Sequence, residues 1–586
     1  MAAPKKKKAP RALTPEQVNA KVQADHRSLI RSIFRGCGFH RVTAVSDKEF
    51  TYDGQKSDFD DVFVYENVIL LMEYTTSQPS SVGAHLKPKK VLYDKIDADR
   101  PAFIQFLKQK FIDSADQFPQ HYHASKLVVK IVYCSRYDFE SHYKSNVPNP
   151  SYLDYSAARY FSSVIDAIKK SAILELLEFL GVDYKQVGSG GKISVSSAGK
   201  EYSGSLLPEA HSNFDDGYKV VSFYADPEAL LRTAYVLRKD GWRDSLNLYQ
   251  RMISKAKVEA IRAYLKKERR VFINNIIVTL PPDVKPIGED GTTLEAKDLT
   301  DTAPVLIKLP DRPNSVGLID GQHRVFAYHE SVSDDAEIAQ LRIQQNLLVT
   351  GIIYPNNISE PDRQKFEAKL FLEINSTQTS AKSPLKQAIG IVLDPYSGES
   401  IAARTLAGMA KDGPLSGFIQ QYFYDTEKLK TASIVSYGLK PLVKTSGSDS
   451  IFSIWKEANK DLVASGSDLT LLESYVAFCV NTTNTFLRSV KRNLDKSRWT
   501  TAAKVPGRVL ATTYINSFLI ALRLLIERGE DLSEDVVRSK LAGLNDFDFS
   551  VYHSSQYARM AEKIVATHFT NTPAPTVGDA PGELPS

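Results

Sequence analysis

The stretch "LIDGQHRVFAYHE" at residues 318–330 contains the residues on which the predicted fold and function depend most. Its apolar beginning predicts the end of a β-strand, and the residues after Gly321 have the pattern of a helix start. Four polar residues surround this glycine: Asp320, Gln322, His323 and Arg324. The stretch therefore predicts a strand-to-helix turn with a concentration of polar groups.

This turn has the chemistry of an anion site. A glycine between a strand and a helix lets backbone N–H groups at the helix start face outward, where the helix dipole attracts phosphate. Arg324 would add a forked contact, His323 another donor, and Asp320 a carboxylate suited to Mg²⁺. The alternative is a polar turn that only caps its own helix. The residues alone leave both interpretations open.

The run Asp320–Arg324, with Ala327 one helical turn later, resembles the signature of DGQHR-domain proteins. These proteins accompany bacterial DNA phosphorothioate and deazaguanine modification systems and belong to the ParB/sulfiredoxin superfamily. The segment at 249–281 is similar to the family's helix-then-strand entry, and "FLEINSTQTSAKSPL" at 371–385 resembles its second polar box. The resemblance covers roughly residues 185–395.

The resemblance implies nucleotide binding or hydrolysis, with ATP or CTP as the NTP and Mg²⁺ as the metal at Asp320. In the second box, Asn375 and Gln378 match the Asn and Gln of the ParB nucleotide-pocket motif, which implies one pocket shared with the DGQHR turn. The implied nucleotide site comprises Asp320, Gly321, Gln322, His323, Arg324, Asn375 and Gln378. Sulfiredoxins carry a cysteine nucleophile where this chain has Gln322, so sulfinic-acid reduction is not expected.

A second polar pattern lies in "SDFDDVFVYENVILLMEYTTS" at residues 57–77, which reads as a hairpin. If residues 66–67 form a two-residue turn, counting back puts Asp60 opposite Glu73 on one sheet face. Asp61 would need a bulge to join them. Two converging carboxylates can hold Mg²⁺ for phosphodiester cleavage. The alternative is an acidic strand end that keeps a sheet edge soluble.

Residues 13–180 resemble the PD-(D/E)XK nuclease family, with an Asp strand followed by the Glu position. Thr75 stands where the family has lysine, so an ammonium would have to come from the following segment "HLKPKK" at 85–90. Its lysines are Lys87, Lys89 and Lys90. We expect Pro88 to hold the first two in an extended segment; otherwise the domain has lost cleavage and only binds. The implied catalytic residues are Asp60, Asp61, Glu73, Lys87 and Lys89, of which the three acidic ones are the implied metal ligands.

Composition narrows the class of protein. The chain has 586 residues, 42% hydrophobic and 24% charged, and a net charge of +5 that is concentrated in the first dozen residues. The remainder is therefore close to neutral, which argues against a general nucleic-acid coat. Three widely spaced cysteines form neither a disulfide framework nor a metal knuckle. No apolar run approaches the roughly 18 to 20 residues of a membrane span, so we expect a soluble, cytoplasmic protein without membrane contact.

These patterns predict a multidomain α/β protein. Its predicted parts are a basic tail (1–12), a restriction-endonuclease-like α/β domain (13–182), a ParB/sulfiredoxin-like α+β nucleotide-binding domain (183–395), a mostly helical region (396–568) and a disordered tail (569–586). The expected function is NTP binding and hydrolysis by a protein that acts on or senses DNA in bacterial DNA modification or phage defence. Its N-terminal domain is expected to be a Mg²⁺-dependent DNA nuclease or a degenerate one, with slow or absent cleavage of plain duplex DNA because Thr75 replaces the lysine. The alternative is a non-catalytic, nucleotide-switched DNA-binding regulator or scaffold. Expected partners are DNA, other modification or defence proteins, and a second copy of the chain.

Overall fold

The computed structural model shows a mixed α/β protein with several β-sheets, which confirms the predicted fold class at this level. The described residues are 14–138, 141–188, 201–238, 242–243, 250–310, 312–378, 383–422, 424–553 and 555–570. At 141, 376–378, 383–386 and 388 only the backbone is described. The predicted basic tail and residues 571–586 lie outside these ranges. The chain divides into a first compact unit that ends at Ile374 and a second that begins at Asn375.

The first unit contains two larger sheets and a small hairpin. Its strands are β1 (His40–Arg41), β2 (Phe50–Tyr52), β3 (Gln55–Ser57), β4 (Asp61–Tyr65), β5 (Val68–Thr75), β6 (Val128–Ser135), β7 (Ser151–Leu153), β8 (Glu201–Leu206), β9 (Lys219–Ala225), β10 (Ala234–Tyr235), β11 (Ile276–Leu280), β12 (Pro286–Ile287), β13 (Ala303–Lys308), β14 (Val316–Asp320) and β15 (Leu347–Ile353). Its helices are α1 (Pro15–Gly36), α2 (Val82–Ala98), α3 (Arg100–Lys110), α4 (Ser141–Asn146), α5 (Tyr155–Ile168), α6 (Ile173–Phe179), α7 (Glu209–Ser212), α8 (Pro227–Thr233), α9 (Lys255–Glu268), α10 (Gln322–Phe326), α11 (Ala336–Gln344) and α12 (Glu360–Gln378), the last of which continues into the second unit.

The first sheet has the strand order β1-β4-β5-β6-β7. β4 and β5 form an antiparallel hairpin, whereas β6 runs parallel to β5 and β7 parallel to β6. β5 is almost entirely buried because helices cover both faces: α1 and α5 pack on one face, and α2 and α3 on the other. The carboxyl ends of β5 and β6 therefore meet at one edge of the sheet.

The second sheet has the order β10-β14-β11-β15-β9-β8-β13-β12 and mixes parallel and antiparallel pairs. β14 lies inside this sheet, between β10 and β11, and its five residues are largely buried. It delivers the chain directly into the turn at Gly321. The sheet thus holds the quoted motif at the end of a strand that is paired on both sides.

One apolar core connects both sheets. It includes Phe161 on α5 and Phe326 on α10, and α5 packs directly against α9. The predicted boundary at 182/183 is therefore not marked by a break in the core, because α5 and α6 bury apolar side chains toward both sheets. The compact unit also ends before residue 395, at Ile374.

The second unit is helical in its described residues. Its helices are α13 (Ser383–Leu393), α14 (Gly398–Lys411), α15 (Thr431–Ser433), α16 (Lys440–Val443), α17 (Ile451–Ile454), α18 (Asp461–Ala464), α19 (Leu469–Arg492), α20 (Thr512–Glu527), α21 (Glu534–Lys540) and α22 (Tyr557–His568), with a π-helical segment at Ile434–Leu439. The apolar faces of α19 and α20 are buried in a core of this unit.

Candidate active site

The hairpin brings two carboxylates together. β4 and β5 pair from the turn at 66–67 onward without a register shift, as the sequence predicts. This register places Asp60 across from Glu73, and the Asp60 N–H donates to the Met72 carbonyl at 3.0 Å. The two acidic side chains therefore lie at the end of neighbouring strands.

Both carboxyl groups are affected by burial. Glu73 is 2% exposed, and burial raises its pKa to about 8. Burial also raises the pKa of Asp60 to about 6, although the Tyr74 N–H donates to its Oδ2 at 2.7 Å and Arg27 pairs with its Oδ1 at 2.5 Å. Asp60 contributes further to the raised pKa of Glu73. The two acidic groups therefore lie close together, and a cation in addition to Arg27 would stabilise their charged forms.

A lysine from α2 completes this cluster. Lys89 places its Nζ 2.8 Å from Oε1 of Glu73 and 2.9 Å from Oδ1 of Asp58. Burial lowers the pKa of Lys89, but the two carboxylates outweigh it and the net shift is upward. A charged ammonium therefore lies beside Glu73, and it comes from α2 and not from the strand position of Thr75.

The segment that supplies Lys89 is helical, so the prediction that Pro88 holds it extended is wrong. α2 runs from Val82 to Ala98 through this proline. Proline inside a helix removes one backbone hydrogen bond, but apolar side chains of α2 pack against the sheet and outweigh that loss. These side chains are Leu86, Leu92, Tyr93 and Ile96.

The other two lysines of this segment point elsewhere. Lys87 is exposed on α2. Lys90 pairs with Asp94 one turn later, at 2.7 Å, on the solvent side of the helix. Of the three lysines, Lys89 is the one that the structure brings to Glu73.

Asp61 lies on the opposite face of the hairpin from Glu73. It is paired with Met72 in the regular register, so the bulge that would bring it to Glu73 is not formed. Its buried carboxylate accepts hydrogen bonds from Arg31 at 2.7 Å, from Arg41 and from the Tyr74 hydroxyl. Burial raises its pKa, but these partners outweigh burial and the net shift is downward. The structure therefore groups Asp60, and not Asp61, with Glu73.

A cleft of about 270 Å³ opens beside Asp60, at the carboxyl end of β5. Its lining residues are Gln23, His26, Arg27, Asp60, Tyr74, Thr75, Thr76, Ser77 and His85. The sequence did not indicate the residues from α1, because they precede the hairpin by more than thirty positions without a recognisable motif. His85 could have been found, since it lies four residues before Lys89 and so shares its helix face.

The DGQHR turn (Asp320–Arg324) has the strand, glycine and helix order that the sequence predicts. Gly321 adopts φ +99°, and a Cβ at this position would lie 2.6 Å from Cδ1 of Ile276. Asp320 and Arg324 form an ion pair with 2.7 Å between Oδ2 and Nη2. The helix that follows, α10, is only five residues long.

The two middle side chains of the turn are bonded within the fold. Gln322 accepts from Nε of Arg238 at 3.4 Å and donates to the Arg251 carbonyl at 3.3 Å. His323 accepts from the Ser254 N–H at 3.1 Å, and burial lowers its pKa to about 4. A phosphate would therefore be met by the part-exposed Asp320–Arg324 pair rather than by these two side chains.

The second polar box begins on α12. Asn375 lies on α12 as the first residue of the second unit. The side chain of Gln378 lies outside the described residues. The predicted pocket shared with Arg324 stays a prediction.

Within the described ranges, no cluster of three or more metal-ligating side chains occurs, and the three cysteines are free and buried. No helix there combines the length and apolar character of a membrane span. Comparison of the chain with protein-family models, curated proteins and solved structures gives no match in any of the three.

Proposed function

We propose that the first unit hydrolyses phosphodiester bonds of DNA in a metal-dependent reaction, with Asp60, Glu73 and Lys89 as the acting residues. The observation that supports this proposal is the 2.8 Å contact between Lys89 Nζ and Glu73 Oε1. It supplies, from a helix, the charge that the resemblance to PD-(D/E)XK nucleases requires and that Thr75 lacks.

The carboxylates fit Mg²⁺. In proteins this ion is commonly bound by one or two carboxylates and keeps several of its waters. Asp60 and Glu73 form such a donor set, and both have raised pKa values because burial disfavours their charged forms and negative charge is crowded there. Bound Mg²⁺ would supply a water of lowered pKa and neutralise charge on the phosphate.

The protein groups around this pair have separable roles. Lys89 carries a half-buried, charged ammonium that contacts Glu73 and Asp58. A metal ion on Glu73 would leave this ammonium free to donate to a non-bridging phosphate oxygen, where negative charge grows during hydrolysis. Arg27 pairs with Asp60 and also with Asp47 at 2.7 Å. A metal-ligand role for Asp60 would release Nη2 of Arg27, which could then hold a neighbouring phosphate of the strand while Nη1 stays with Asp47.

The test is cleavage of end-labelled single-stranded and duplex DNA with Mg²⁺ or Mn²⁺, by wild type, Glu73→Gln, Lys89→Met and Lys90→Met. We expect Lys89→Met to lower the rate by about a hundred- to a thousandfold, as for loss of one preorganised donor. Lys90→Met is the matched control, because Lys90 lies on the same helix but pairs only with the exposed Asp94. It should cleave like wild type.

Two outcomes would contradict the proposal. Cleavage that persists in Glu73→Gln would place the chemistry elsewhere. Equal losses in Lys89→Met and Lys90→Met would show that the helix charge as a whole, and not the contact with Glu73, supports activity. Folding of each variant is checked by circular dichroism.

Nucleotide binding at the DGQHR turn is the second candidate. The specific observation in its favour is the Asp320–Arg324 pair, which remains partly open to solvent at the end of β14. ATP or CTP would act there with Mg²⁺, in the context of DNA modification or phage defence. Without turnover, the protein would be a nucleotide-switched, DNA-binding regulator or scaffold.

Calorimetry with ATP and CTP tests this candidate. Arg324→Ala should weaken binding by roughly ten- to a hundredfold, the cost of one charge-assisted contact. Arg312→Ala is the control, since Arg312 forms a comparable but exposed ion pair with Asp283. Wild-type affinity in Arg324→Ala would exclude the turn as the phosphate site. Phosphate release, with and without DNA, separates an NTPase from a regulator.

A further inference from the structure

A histidine of α2 faces the cleft beside the acidic pair. His85 precedes Lys89 by one helical turn and lines the same cleft as Asp60. Its Nδ1 lies 2.7 Å from the hydroxyl of Tyr133. Tyr133 is the register partner of Glu73 on the adjacent strand β6. His85 is therefore tied to the strands that carry the proposed site.

The hydrogen bonds around Tyr133 can all be satisfied in one direction. The Ser77 N–H donates to Oγ1 of Thr75 at 3.1 Å, and the Thr75 hydroxyl is itself hydrogen-bonded to the phenol oxygen of Tyr133. With Thr75 as the donor to that oxygen, the Tyr133 hydroxyl donates to Nδ1 of His85. Burial lowers the pKa of His85, which favours the neutral ring with a single proton. That proton is left on Nε2.

Nε2 is also the ring atom that lacks a hydrogen bond within the described part of the chain. The ring is held by Tyr133 at one nitrogen only, and its centroid lies 5.6 Å from that of the tyrosine ring. A neutral imidazole with a fixed N–H beside a carboxylate pair is suited to donate to a phosphate oxygen.

We infer that His85 donates from Nε2–H to an oxygen of the scissile phosphate, and that Thr75 and Tyr133 are positioning residues that fix its tautomer. This inference rests on the proposed phosphodiester hydrolysis. In this inference Thr75 supplies no ammonium. It begins the hydrogen-bond chain that orients His85, which is a phosphate donor in addition to Lys89.

The experiment compares His85→Gln with His85→Asn in the full-length protein. A glutamine amide can place an N–H near the position of Nε2, whereas an asparagine reaches only the position of Nδ1 and can still accept from Tyr133. We expect His85→Asn to lower kcat for DNA cleavage by about ten- to a hundredfold with KM within about threefold, and His85→Gln to stay within about fivefold of wild type. If His85 only anchors α2, His85→Asn is the better tolerated variant, and that order overturns the inference.

A second readout is the ¹⁵N chemical shift of the imidazole, assigned by its loss in His85→Gln. Wild type should show the proton on Nε2, and Tyr133→Phe should show a mixture of tautomers with a kcat lowered by several-fold. A proton on Nδ1 in wild type overturns the inference. Absence of any wild-type cleavage that Glu73→Gln removes overturns the proposed function and this role together. Active His85→Asn in an otherwise Glu73-dependent enzyme overturns only the role of His85.

Discussion

Single residues of the DGQHR turn are constrained by space as much as by chemistry. Gly321 has a φ of +99°, and a Cβ added to it would lie 2.6 Å from the side chain of Ile276. Alanine at this position would therefore strain the backbone and overlap with Ile276. Gly291 provides a matched control, because its φ is +79° and nothing lies within 4 Å. We expect Gly291→Ala to lose about 1 kcal/mol of unfolding free energy and Gly321→Ala about 2–4 kcal/mol. Urea unfolding measures the difference, and equal losses would show that Ile276 yields freely.

Protonation of the buried His329 should make the unfolding free energy depend on pH. His329 is 2% exposed, its Nε2 has no hydrogen-bond partner in the described structure, and burial lowers its pKa to about 4. Since the unfolded chain has a pKa near 6.5, the unfolded state binds the extra proton first as pH falls. The stability from neutral His329 is therefore complete above pH 6.5 and is lost toward pH 4.

This loss is measurable against a variant without the imidazole. The unfolding free energy of wild type should fall by about 3 kcal/mol more than that of His329→Phe between pH 7 and pH 4. His211→Gln serves as the control because His211 is exposed, and it should follow wild type. Parallel pH curves for wild type and His329→Phe would mean that the buried ring accepts its proton without cost.

At the scale of elements, the DGQHR turn is linked to the helices of the first sheet through one buried arginine. Arg238 contacts Gln322 at 3.4 Å, the Tyr160 hydroxyl at 3.2 Å and Oε2 of Glu175 at 3.0 Å. Its side chain is 1% exposed. Arg238 therefore links α10 to α5 and α6. We expect a substitution in the DGQHR turn to affect the packing of these helices, which cover the first sheet.

We predict that Arg238→Met destabilises the first unit by about 3–5 kcal/mol, because it removes the buried guanidinium that pairs with Glu175 and leaves Oε1 of Gln322 without its donor. Arg243→Met is the comparison: Arg243 also pairs with Glu175, at 3.5 Å, but is 20% exposed. Its loss should cost about 1 kcal/mol or less. Chemical denaturation distinguishes the two, and similar costs would mean that burial of Arg238 adds nothing to the pair.

Elements also show what could be predicted from the sequence. The hairpin register followed from a two-residue turn and strand alternation, so Asp60 and Glu73 were paired correctly. The strand-glycine-helix order of the DGQHR turn followed from local residue chemistry in the same way. The helix α2 could not be predicted from local residue chemistry, because Pro88 locally disfavours a helix. The packing that stabilises α2 comes from the sheet. Arg27 and His26 could not be predicted as site residues from the sequence either, because α1 reaches the end of β5 only in the folded protein.

On the scale of the whole molecule, composition and periodicity predict an α/β part followed by a helical part, and the first compact unit ends at Ile374. The boundary at 182/183 is predicted because the glycine- and serine-rich stretch after it is typical of a linker. It stays a prediction, and the contacts of the described residues on its two sides bear on it. Contacts that are distant in sequence cross it: Trp242 lies against Phe179 with 5.4 Å between ring centroids, and Glu175 pairs with Arg238.

Because these contacts join residues on the two sides of position 182, the stability of a fragment should depend on where the chain is cut. Residues 1–382 contain both sheets and all of α12, so this fragment should unfold cooperatively and retain the cleavage activity proposed for Asp60, Glu73 and Lys89. Residues 1–182 keep the same three residues but expose the apolar side chains of α5 and α6 that pack beyond the predicted boundary. We expect this shorter fragment to lack a cooperative thermal transition, because its core is incomplete. Calorimetry on the two fragments decides the matter: a sharp transition in 1–182, at a temperature close to that of 1–382, would mean that the first sheet and its helices form an independent domain after all.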